Sequence, residues 1–285
     1  MNDIRYICPI CGEHLARIEK SFVCENNHSF DIARQGYVNL LPVGQKHSLR
    51  PGDDKEMLNA RRNFLNSGFY EPIANSVTSK IQTLTAKQKA PVIIDVGCGE
   101  GYYTRKIADN IVGSHCVGAD ISKDATRMAC SRGKDIEYCV ATASHLPFES
   151  KSVDVITAMF SLVCEDEFAR ILRNGGYIVE VTAGTEHLIE LKQVIYDEVF
   201  PQDKHPAPCG EKFKEISCEN FSYKIDVSGD LLKSLLEMTP HIRRINPEHR
   251  RRLDSLESLS LTISYWLTVR QAKSYPHLVR FSASI

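Results

Sequence analysis

The amino-acid sequence predicts an α/β fold, a doubly wound parallel sheet, with a small metal-binding domain ahead of it. Strand-like and helix-like segments alternate between residues 92 and 199, which is typical of a parallel sheet covered by helices on both faces. A glycine-rich turn follows the first of these strands, at residues 97–101. Three cysteines and a histidine at metal-ligand spacing lie within the first 28 residues.

The composition is that of an ordinary globular protein. The chain has 285 residues, enough for one large domain or two, and 42% of them are hydrophobic and 25% charged. No apolar stretch approaches the ~20 residues that span a bilayer, and the N-terminus has no apolar signal core. We therefore expect a cytoplasmic protein without a membrane partner. The net charge of −1 gives no general attraction to nucleic acid, so any RNA-binding face must be local.

The N-terminal cysteines predict one structural Zn²⁺ site. The ten cysteines are not spaced as a disulfide framework, and in a reducing compartment such a cluster more often binds metal. Cys8 and Cys11 form a C-x2-C turn, and Cys24 and His28 follow as C-x3-H, which gives three thiolates and one imidazole. His14 is an alternative fourth ligand. Because so short a segment buries too little apolar surface to fold alone, the metal would supply the missing stability.

Three consecutive parts follow from this pattern. Residues 1–41 are predicted to form the zinc-binding domain. Residues 42–54 are rich in proline, glycine and charge, which predicts a linker. Residues 55–285 then form the α/β domain.

Within the α/β domain, the periodicity of apolar residues predicts each element in turn. Apolar residues recur at helical spacing from Lys55, and a second helix follows at about 71–84. The alternating segments are strand 92–96, helix 101–110, strand 115–119, helix 124–131, strand 136–140, strand 153–158, helix 165–172, strand 177–182 and helix 186–199. After residue 201 we expect an apolar segment at 213–227, a helix at 229–238 and a strand near 260–270 that completes the sheet.

The glycine-rich turn predicts a cofactor at the end of the first strand. Gly97, Gly99 and Gly101 let the backbone pass close to a ligand, where any Cβ would collide. Asp120 follows about 20 residues later, after a second strand, and is placed to bind ribose hydroxyls.

Two further acids give this turn a particular form. Asp95 precedes the first glycine by two residues, and Glu100 lies between the last two glycines. The turn resembles the S-adenosylmethionine loop of the Rossmann-like methyltransferases. Carboxylates beside the loop suit the cationic sulfur and the amino group of that ligand.

The chain as a whole resembles the bacterial 23S rRNA (guanine-N1-)-methyltransferases of the RlmA type. A generic methyltransferase would match only the glycine loop and Asp120. The narrower resemblance depends on the four zinc ligands and on residues 30–42, 52–53, 56–57, 60–62, 64–65, 68, 70, 97–104, 146–148, 187–188, 190–192 and 238–240. It implies a Rossmann-like S-adenosylmethionine-dependent methyltransferase sheet with a small N-terminal zinc-binding domain.

The resemblance also implies the ligands and the substrate. Gly99 and Glu100 match the cofactor loop of the family, and Tyr70 and His187 match positions that contact S-adenosylmethionine. The expected substrate is N1 of a guanine in a domain II hairpin of 23S rRNA, and relatives suggest a homodimer. The chain departs from the family at 160–164, which lacks a proline, and at Asn174, where a proline is common, and the resemblance implies that both lie near the entry of the target base.

The sequence does not assign a catalytic residue. A general base would help remove the N1 proton, and Glu165, Asp166 and His145 follow the relevant strands, but each is expected to be solvated or structural. Two other functions stay open: methylation of a small molecule, and non-catalytic binding of rRNA. Basic residues that could contact phosphates are Lys46, His47, Arg50, Arg61, Arg62, Arg243, Arg244, Arg250, Arg251 and Arg252.

Overall fold

The computed structural model describes residues 5–42, 44, 52, 54–200, 203–239, 241 and 245–274. The strands are β1 (Leu15–Ile18), β2 (Ser21–Cys24), β3 (Ser29–Asp31), β4 (Tyr37–Asn39), β5 (Val92–Val96), β6 (His115–Asp120), β7 (Glu137–Val140), β8 (Val153–Met159), β9 (Leu172–Ala183), β10 (Phe213–Ser228) and β11 (Ser258–Ala272). The helices are α1 (Lys55–Asn66), α2 (Glu71–Thr85), α3 (Tyr102–Asn110), α4 (Lys123–Ala129), α5 (Glu165–Ile171), α6 (Ile189–Ile195), α7 (Asp230–Glu237) and α8 (Pro247–Asp254).

Eight strands form one mixed sheet in the order β10-β11-β9-β8-β5-β6-β7-β4. The six strands from β9 to β4 are parallel, whereas β11 pairs antiparallel with both β9 and β10. β5 lies between β8 and β6, and the chain leaves it through α3 towards β6, so the strand order reverses at β5. A crevice forms at such a reversal, beyond the carboxyl ends of the strands, and this positions the site.

The two faces of the sheet each carry a hydrophobic core. Along β5 the side chain of Ile93 packs into one core with Ile73 and Val77 of α2, and Ile94 packs into the other core with Phe148. All five residues of β5 are buried, because a central strand of a parallel sheet has helices or loops on both sides. This rigid centre holds the glycine-rich turn at its end.

The small N-terminal unit is a three-stranded antiparallel sheet, β1-β2-β3, that docks on the large domain. Tyr6 bridges to Phe148, and its ring lies 5.4 Å from the Phe148 ring and 5.1 Å from the Phe22 ring. The last strand of the predicted zinc-binding domain 1–41, β4, pairs with β7 in the large sheet. Most of the predicted linker 42–54 lies outside the described residues. None of the helices within the described ranges is long and apolar enough to cross a membrane.

Several elements differ from the sequence expectation. The sheet is not wholly parallel, and the apolar segment expected at 213–227 is the long edge strand β10. The helix expected at 186–199 is shortened to α6, and α8 was not expected at all. β9 begins five residues earlier than the predicted start at 177, because it pairs with β8 from Leu172 onward.

Candidate functional site

A cavity of about 640 Å³ opens at the carboxyl ends of β5, β6 and β8. Six of the eight predicted cofactor residues line it, and they are Tyr70, Gly97, Gly99, Glu100, Asp120 and His187. The other two, Asp95 and Gly101, do not line it. Gly52 of the predicted linker also contributes to the wall. The structure therefore brings together six predicted cofactor residues that are spread over 118 positions of the sequence, from 70 to 187.

The glycine-rich turn needs its glycines for backbone conformation and for space. Gly97, Gly99 and Gly101 all have positive φ, of 74°, 56° and 86°. A Cβ on Gly97 would lie 2.0 Å from Oγ of Ser161, and a Cβ on Gly101 would lie 2.9 Å from Cβ of Ala129. Gly101 precedes α3 and allows close packing there, so its part in the site is to shape the turn.

Asp120 fastens the turn to the neighbouring strand. Its Oδ2 accepts a hydrogen bond from the Gly99 backbone N–H at 2.8 Å, and its Oδ1 accepts one from the Ser122 N–H at 2.7 Å. Because Asp120 ends β6 and lines the cavity, its carboxylate is placed where the ribose hydroxyls of a cofactor would lie.

Asp95 lies beneath the turn rather than in the cavity, which corrects the expectation of direct contact. The residue is 2% exposed, and its carboxylate accepts hydrogen bonds from Oγ1 of Thr104 at 2.6 Å and Oγ1 of Thr157 at 2.9 Å. Burial raises the pKa of Asp95 to about 6, although the two threonine hydroxyls act against this. Asp95 therefore ties β5 to α3 and β8 below the loop.

The carboxylate of Glu100 is held by two arginines, so it is not free to face a cationic ligand as expected. Arg62 of α1 donates from Nε at 2.8 Å, and Arg132, after α4, donates from two nitrogens at 2.6 to 2.9 Å. Glu100 is 1% exposed. The contribution of Glu100 is to lock the turn between α1 and the segment after α4.

Tyr70 and His187 form the opposite wall. The Tyr70 hydroxyl lies 3.2 Å from Nε2 of His187. Burial, with smaller contributions from Lys192, Lys204 and His241, lowers the pKa of His187 to about 4, so the imidazole is neutral at pH 7. Burial raises the pKa of Tyr70, which keeps its hydroxyl protonated. The pair offers a neutral hydrogen-bonding edge to a ligand.

The predicted zinc ligands meet within the small N-terminal unit. The ligand atoms of Cys8, Cys11, Cys24 and His28 all lie within 4.8 Å of one another. Nδ1 of His28 lies 3.5 Å from Sγ of Cys8 and 3.4 Å from Sγ of Cys24, and the Cys11 and Cys24 sulfurs are 3.7 Å apart.

These spacings fit a tetrahedral zinc ion. With bonds of ~2.3 Å to sulfur and ~2.0 Å to nitrogen, such an ion separates its ligand atoms by roughly 3.5 to 3.8 Å. His14 instead directs Nδ1 to Glu149, at 3.5 Å from Oε1. Three thiolates and one imidazole complete the coordination and leave no open position, so the site is of the structural kind.

None of the three candidate bases named from the sequence lines the cavity. Glu165 accepts hydrogen bonds from the Gly210 N–H, Asp166 pairs with Lys212 at 2.6 Å, and His145 is an exposed residue. Among the described residues that line the cavity, the carboxylates are Glu100 and Asp120, and both hold other groups. The catalytic base stays unassigned.

The basic residues that were predicted to contact phosphates lie in different environments. Arg61 lines the cavity beside Gly99 and donates to the Met238 carbonyl at 3.2 Å. Arg250 and Arg252 of α8 pair with Asp254 and Glu248. Lys46, His47, Arg50, Arg243 and Arg244 lie outside the described residues.

Phe160, Lys192, Lys204 and His241 also line the cavity, and none of them is among the predicted cofactor residues. Phe160 follows directly on a predicted strand of a parallel sheet, and the carboxyl ends of such strands carry the ligand sites of α/β proteins. Lys192 belongs to the run 190–192 of the family resemblance. Nothing in the local sequence marks Lys204 or His241.

Comparison with known proteins agrees with this geometry. A family model described as "RlmA, N-terminal", a zinc ribbon, matches residues 6–49, and one described as "Methyltransferase domain" matches residues 94–179. The 23S rRNA (guanine(748)-N(1))-methyltransferase of Streptomyces fradiae is 27% identical over 276 residues, which cover 94% of this chain and 97% of that protein.

Two further relatives carry provisional names of the same kind. A 23S rRNA (guanine-N(1)-)-methyltransferase of Micromonospora griseorubida is 32% identical over 65% of this chain and 67% of its own length. YxjB of Bacillus subtilis (strain 168), with the same enzyme name, is 28% identical over 90% of this chain and 93% of its own. Zinc ribbon, cofactor loop and full-length likeness agree: the chain belongs to the RlmA-type family of 23S rRNA (guanine-N1)-methyltransferases, with a Rossmann-like S-adenosylmethionine-dependent methyltransferase fold.

Proposed function

We propose that this protein transfers the methyl group of S-adenosylmethionine to N1 of a guanine in a domain II hairpin of 23S rRNA. The observation that carries the proposal is a single cavity that joins the glycine loop and Asp120 on one side to a wall at β8 and α6 on the other. One side suits a cofactor and the other leaves room for a base. The rRNA (guanine-N1) names of the relatives supply the substrate class.

The described residues fit S-adenosylmethionine. The turn at Gly97 and Gly99 has no Cβ atoms to obstruct close approach, and Asp120 would bind the ribose hydroxyls. Arg61, beside Gly99, would face the methionine carboxylate, and Tyr70 with His187 would contact the remainder. The bound cofactor supplies an activated methyl group on its sulfonium sulfur.

The target atom dictates how the RNA must bind. Guanine N1 lies on the Watson–Crick edge, so it is accessible only in an unpaired base or in one turned out of its helix. Transfer forms the N1–C bond, breaks the C–S bond and releases S-adenosylhomocysteine, and the N1 proton leaves to water. Because the cofactor is already activated, most of the rate would come from holding N1 and the methyl group in line.

The zinc site would have a structural task. Its four ligands come from a segment whose core is continuous with the large domain through Tyr6 and Phe148, so one Zn²⁺ ion would hold that surface in shape. We propose a zinc-binding unit over residues 1–41, a connecting segment at 42–54 and a methyltransferase domain over residues 55–285. The zinc unit would contact the hairpin beside the cavity.

The proposal carries two expectations about the protein in the cell. A substrate of bacterial ribosomal RNA implies a cytoplasmic protein. The family resemblance implies a homodimer that shares an RNA cleft, which light scattering of the purified protein would test. A monomer in the presence and absence of hairpin RNA would remove the dimer from the proposal.

Mass mapping of 23S rRNA tests the function in cells. RNA from cells with and without this gene would be compared, followed by addition of purified protein and S-adenosylmethionine. We expect the loss of one methyl group at a hairpin guanine and its restoration by the protein, which also identifies the guanine. An unchanged map, with cofactor binding still measurable, would contradict the rRNA assignment and indicate a small-molecule or a different RNA substrate.

A further inference from the structure

Phe160 has an unusual backbone conformation at the mouth of the cavity. It follows the last residue of β8 and has a φ of 53°, in the left-handed region that a bulky residue rarely adopts. Its N–H donates to the Val181 carbonyl at 2.8 Å, which holds the strained residue to β9. Such strain persists where the surrounding structure fixes it, and it clusters at functional sites.

The ring of Phe160 is exposed although two rings flank it. Its centroid lies 5.8 Å from that of His187 and 6.3 Å from that of Tyr70, with an interplanar angle of 35° in both cases. Even so, 40% of Phe160 is exposed, and the residue lines the cavity. An apolar ring left open in a cavity is a surface on which another flat ring can stack.

The sheet order separates this ring from the adenosine side of the site. Asp120 ends β6, on one side of β5, whereas Phe160 follows β8, on the other side. The next residue, Ser161, packs against Gly97 so closely that a Cβ on that glycine would lie 2.0 Å from its Oγ. Phe160 is therefore adjacent to the glycine loop but lies across β5 from Asp120, which would bind the ribose. We expect the acceptor of the methyl group on the Phe160 side.

Cationic side chains border the same part of the cavity. Lys192 and Lys204 line it, and Nζ of Lys192 donates to the His187 carbonyl at 2.6 Å. Lysine ammonium groups suit the O6 and N7 acceptors of guanine. The wall thus combines an open aromatic face with positive charge, which matches a purine that carries acceptor atoms.

We propose that Phe160 is the stacking platform for the target guanine, which fixes the plane of the base so that N1 faces the methyl group. This inference deepens the proposed function and rests on it. Proteins recognise unstacked bases by stacking them on aromatic side chains, and enzymes that modify bases hold the extruded base in this way. The contacts of Phe160 with Tyr70 and His187 leave 40% of the residue exposed to a further ring.

The test uses the full-length zinc-loaded protein, an unmodified domain II hairpin transcript and S-adenosylmethionine. Phe160→Ala removes the ring, and Phe160→Asn removes it with a residue that tolerates positive φ, so that at least one variant folds. Phe160→Tyr and Phe160→Trp keep an aromatic face. Phe200→Ala is the matched control, because Phe200 is 76% exposed and is not among the residues that line the cavity.

We expect Phe160→Ala and Phe160→Asn to lower kcat/KM for the hairpin by about 5-fold to 150-fold, the worth of one base stacked on an aromatic side chain. The Kd for S-adenosylmethionine should stay within about twofold, and Phe160→Tyr and Phe200→Ala should resemble wild type. Unchanged kcat/KM in Phe160→Ala would overturn the proposal. A parallel loss of cofactor binding would also overturn it, because the ring would then serve the cofactor.

A fluorescence readout separates this inference from the proposed function. In Phe160→Trp, with S-adenosylhomocysteine bound, the hairpin should quench emission more than it does in wild type, which contains Trp266 alone. Absence of the added quenching would overturn the stacking role even if RNA is methylated. If wild type methylates no RNA, the proposed function fails, and quenching by the hairpin still decides whether a base stacks at this position.

Discussion

The hydroxyl of Tyr70 lies 3.2 Å from Nε2 of His187, and this contact connects the start of α2 to the segment between β9 and α6. Tyr70 is 4% exposed, and its ring packs edge-on against Phe64 at 5.2 Å. The pair thereby couples the helices that precede the sheet to the wall at which the substrate would bind. Because the imidazole of His187 is held neutral in the folded protein, the free energy of unfolding depends on pH.

We expect the free energy of unfolding to fall between pH 7.5 and pH 5 in a manner that depends on His187. The folded-state pKa is lowered to about 4 from 6.5, so the unfolded chain takes up a proton below pH 6.5 while the folded chain does not. The lost stability reaches up to about 2 kcal/mol at pH 5. Denaturant titrations of wild type and His187→Asn should show a shallower pH dependence in the variant, whereas His145→Asn, at an exposed position, should match wild type. Equal slopes in wild type and His187→Asn would contradict this account.

Replacing Asp120 by Asn should weaken binding of S-adenosylmethionine. The variant keeps the shape of the side chain but removes the charge that strengthens its hydrogen bonds to ribose and to the Gly99 N–H. We expect a rise in Kd of between about 10-fold and 150-fold by calorimetry. The control is Asp124→Asn, since Asp124 pairs with Arg127 on the surface of α4. A Kd unchanged in Asp120→Asn would remove Asp120 from the cofactor site.

Glu100→Gln should destabilise the protein because it leaves two arginines without their shared buried carboxylate. Arg62 and Arg132 both bind this group, which is 1% exposed, and breaking a buried pair costs roughly 3 kcal/mol. Asp135→Asn is the comparison, because it breaks a surface pair with Arg105 that is worth less than about 1 kcal/mol. Thermal unfolding measures both. Equal losses of stability in the two variants would show that the ion pairs of Glu100 with Arg62 and Arg132 do not hold the glycine-rich turn in place.

Zinc content should distinguish the two histidines near the metal site. His28→Ala removes a ligand at 3.4 Å and 3.5 Å from two of the sulfurs, so we expect well below one zinc per chain and a lower melting temperature. His14→Ala should retain one zinc per chain, because that ring faces Glu149. Atomic absorption on the purified variants provides the measurement. The reverse result would exchange the roles of the two residues.

Local sequence signals predicted the features that depend on nearby residues. β5 was predicted at its observed bounds, because four apolar residues and one aspartate stand between a proline and a glycine turn. The zinc ligands were found because short spacings bring them together. The lock at Glu100 was not predicted, since its partners Arg62 and Arg132 are 38 and 32 positions away and only tertiary structure unites them.

The edge strand β10 is a second element that depends on tertiary contacts more than on its own sequence. Apolar and polar side chains alternate over residues 221–228 of β10 but not over 213–220, so the sequence predicts an apolar segment without the bounds of a strand. It forms a strand because β11 pairs with it along nearly its whole length. The strained backbone of Phe160 could not be predicted for a related reason, because it depends on the contact with β9.

The most direct test of the central claim is methyl transfer to RNA by the purified zinc-loaded protein. An unmodified domain II transcript would be incubated with S-adenosylmethionine and then read by primer extension, because a methyl group on N1 blocks the Watson–Crick edge. We predict one methyl group per transcript and arrest at a single guanine. Incorporation without arrest would mean that another atom is methylated. Cofactor binding without incorporation into RNA would contradict the assignment of rRNA as the substrate.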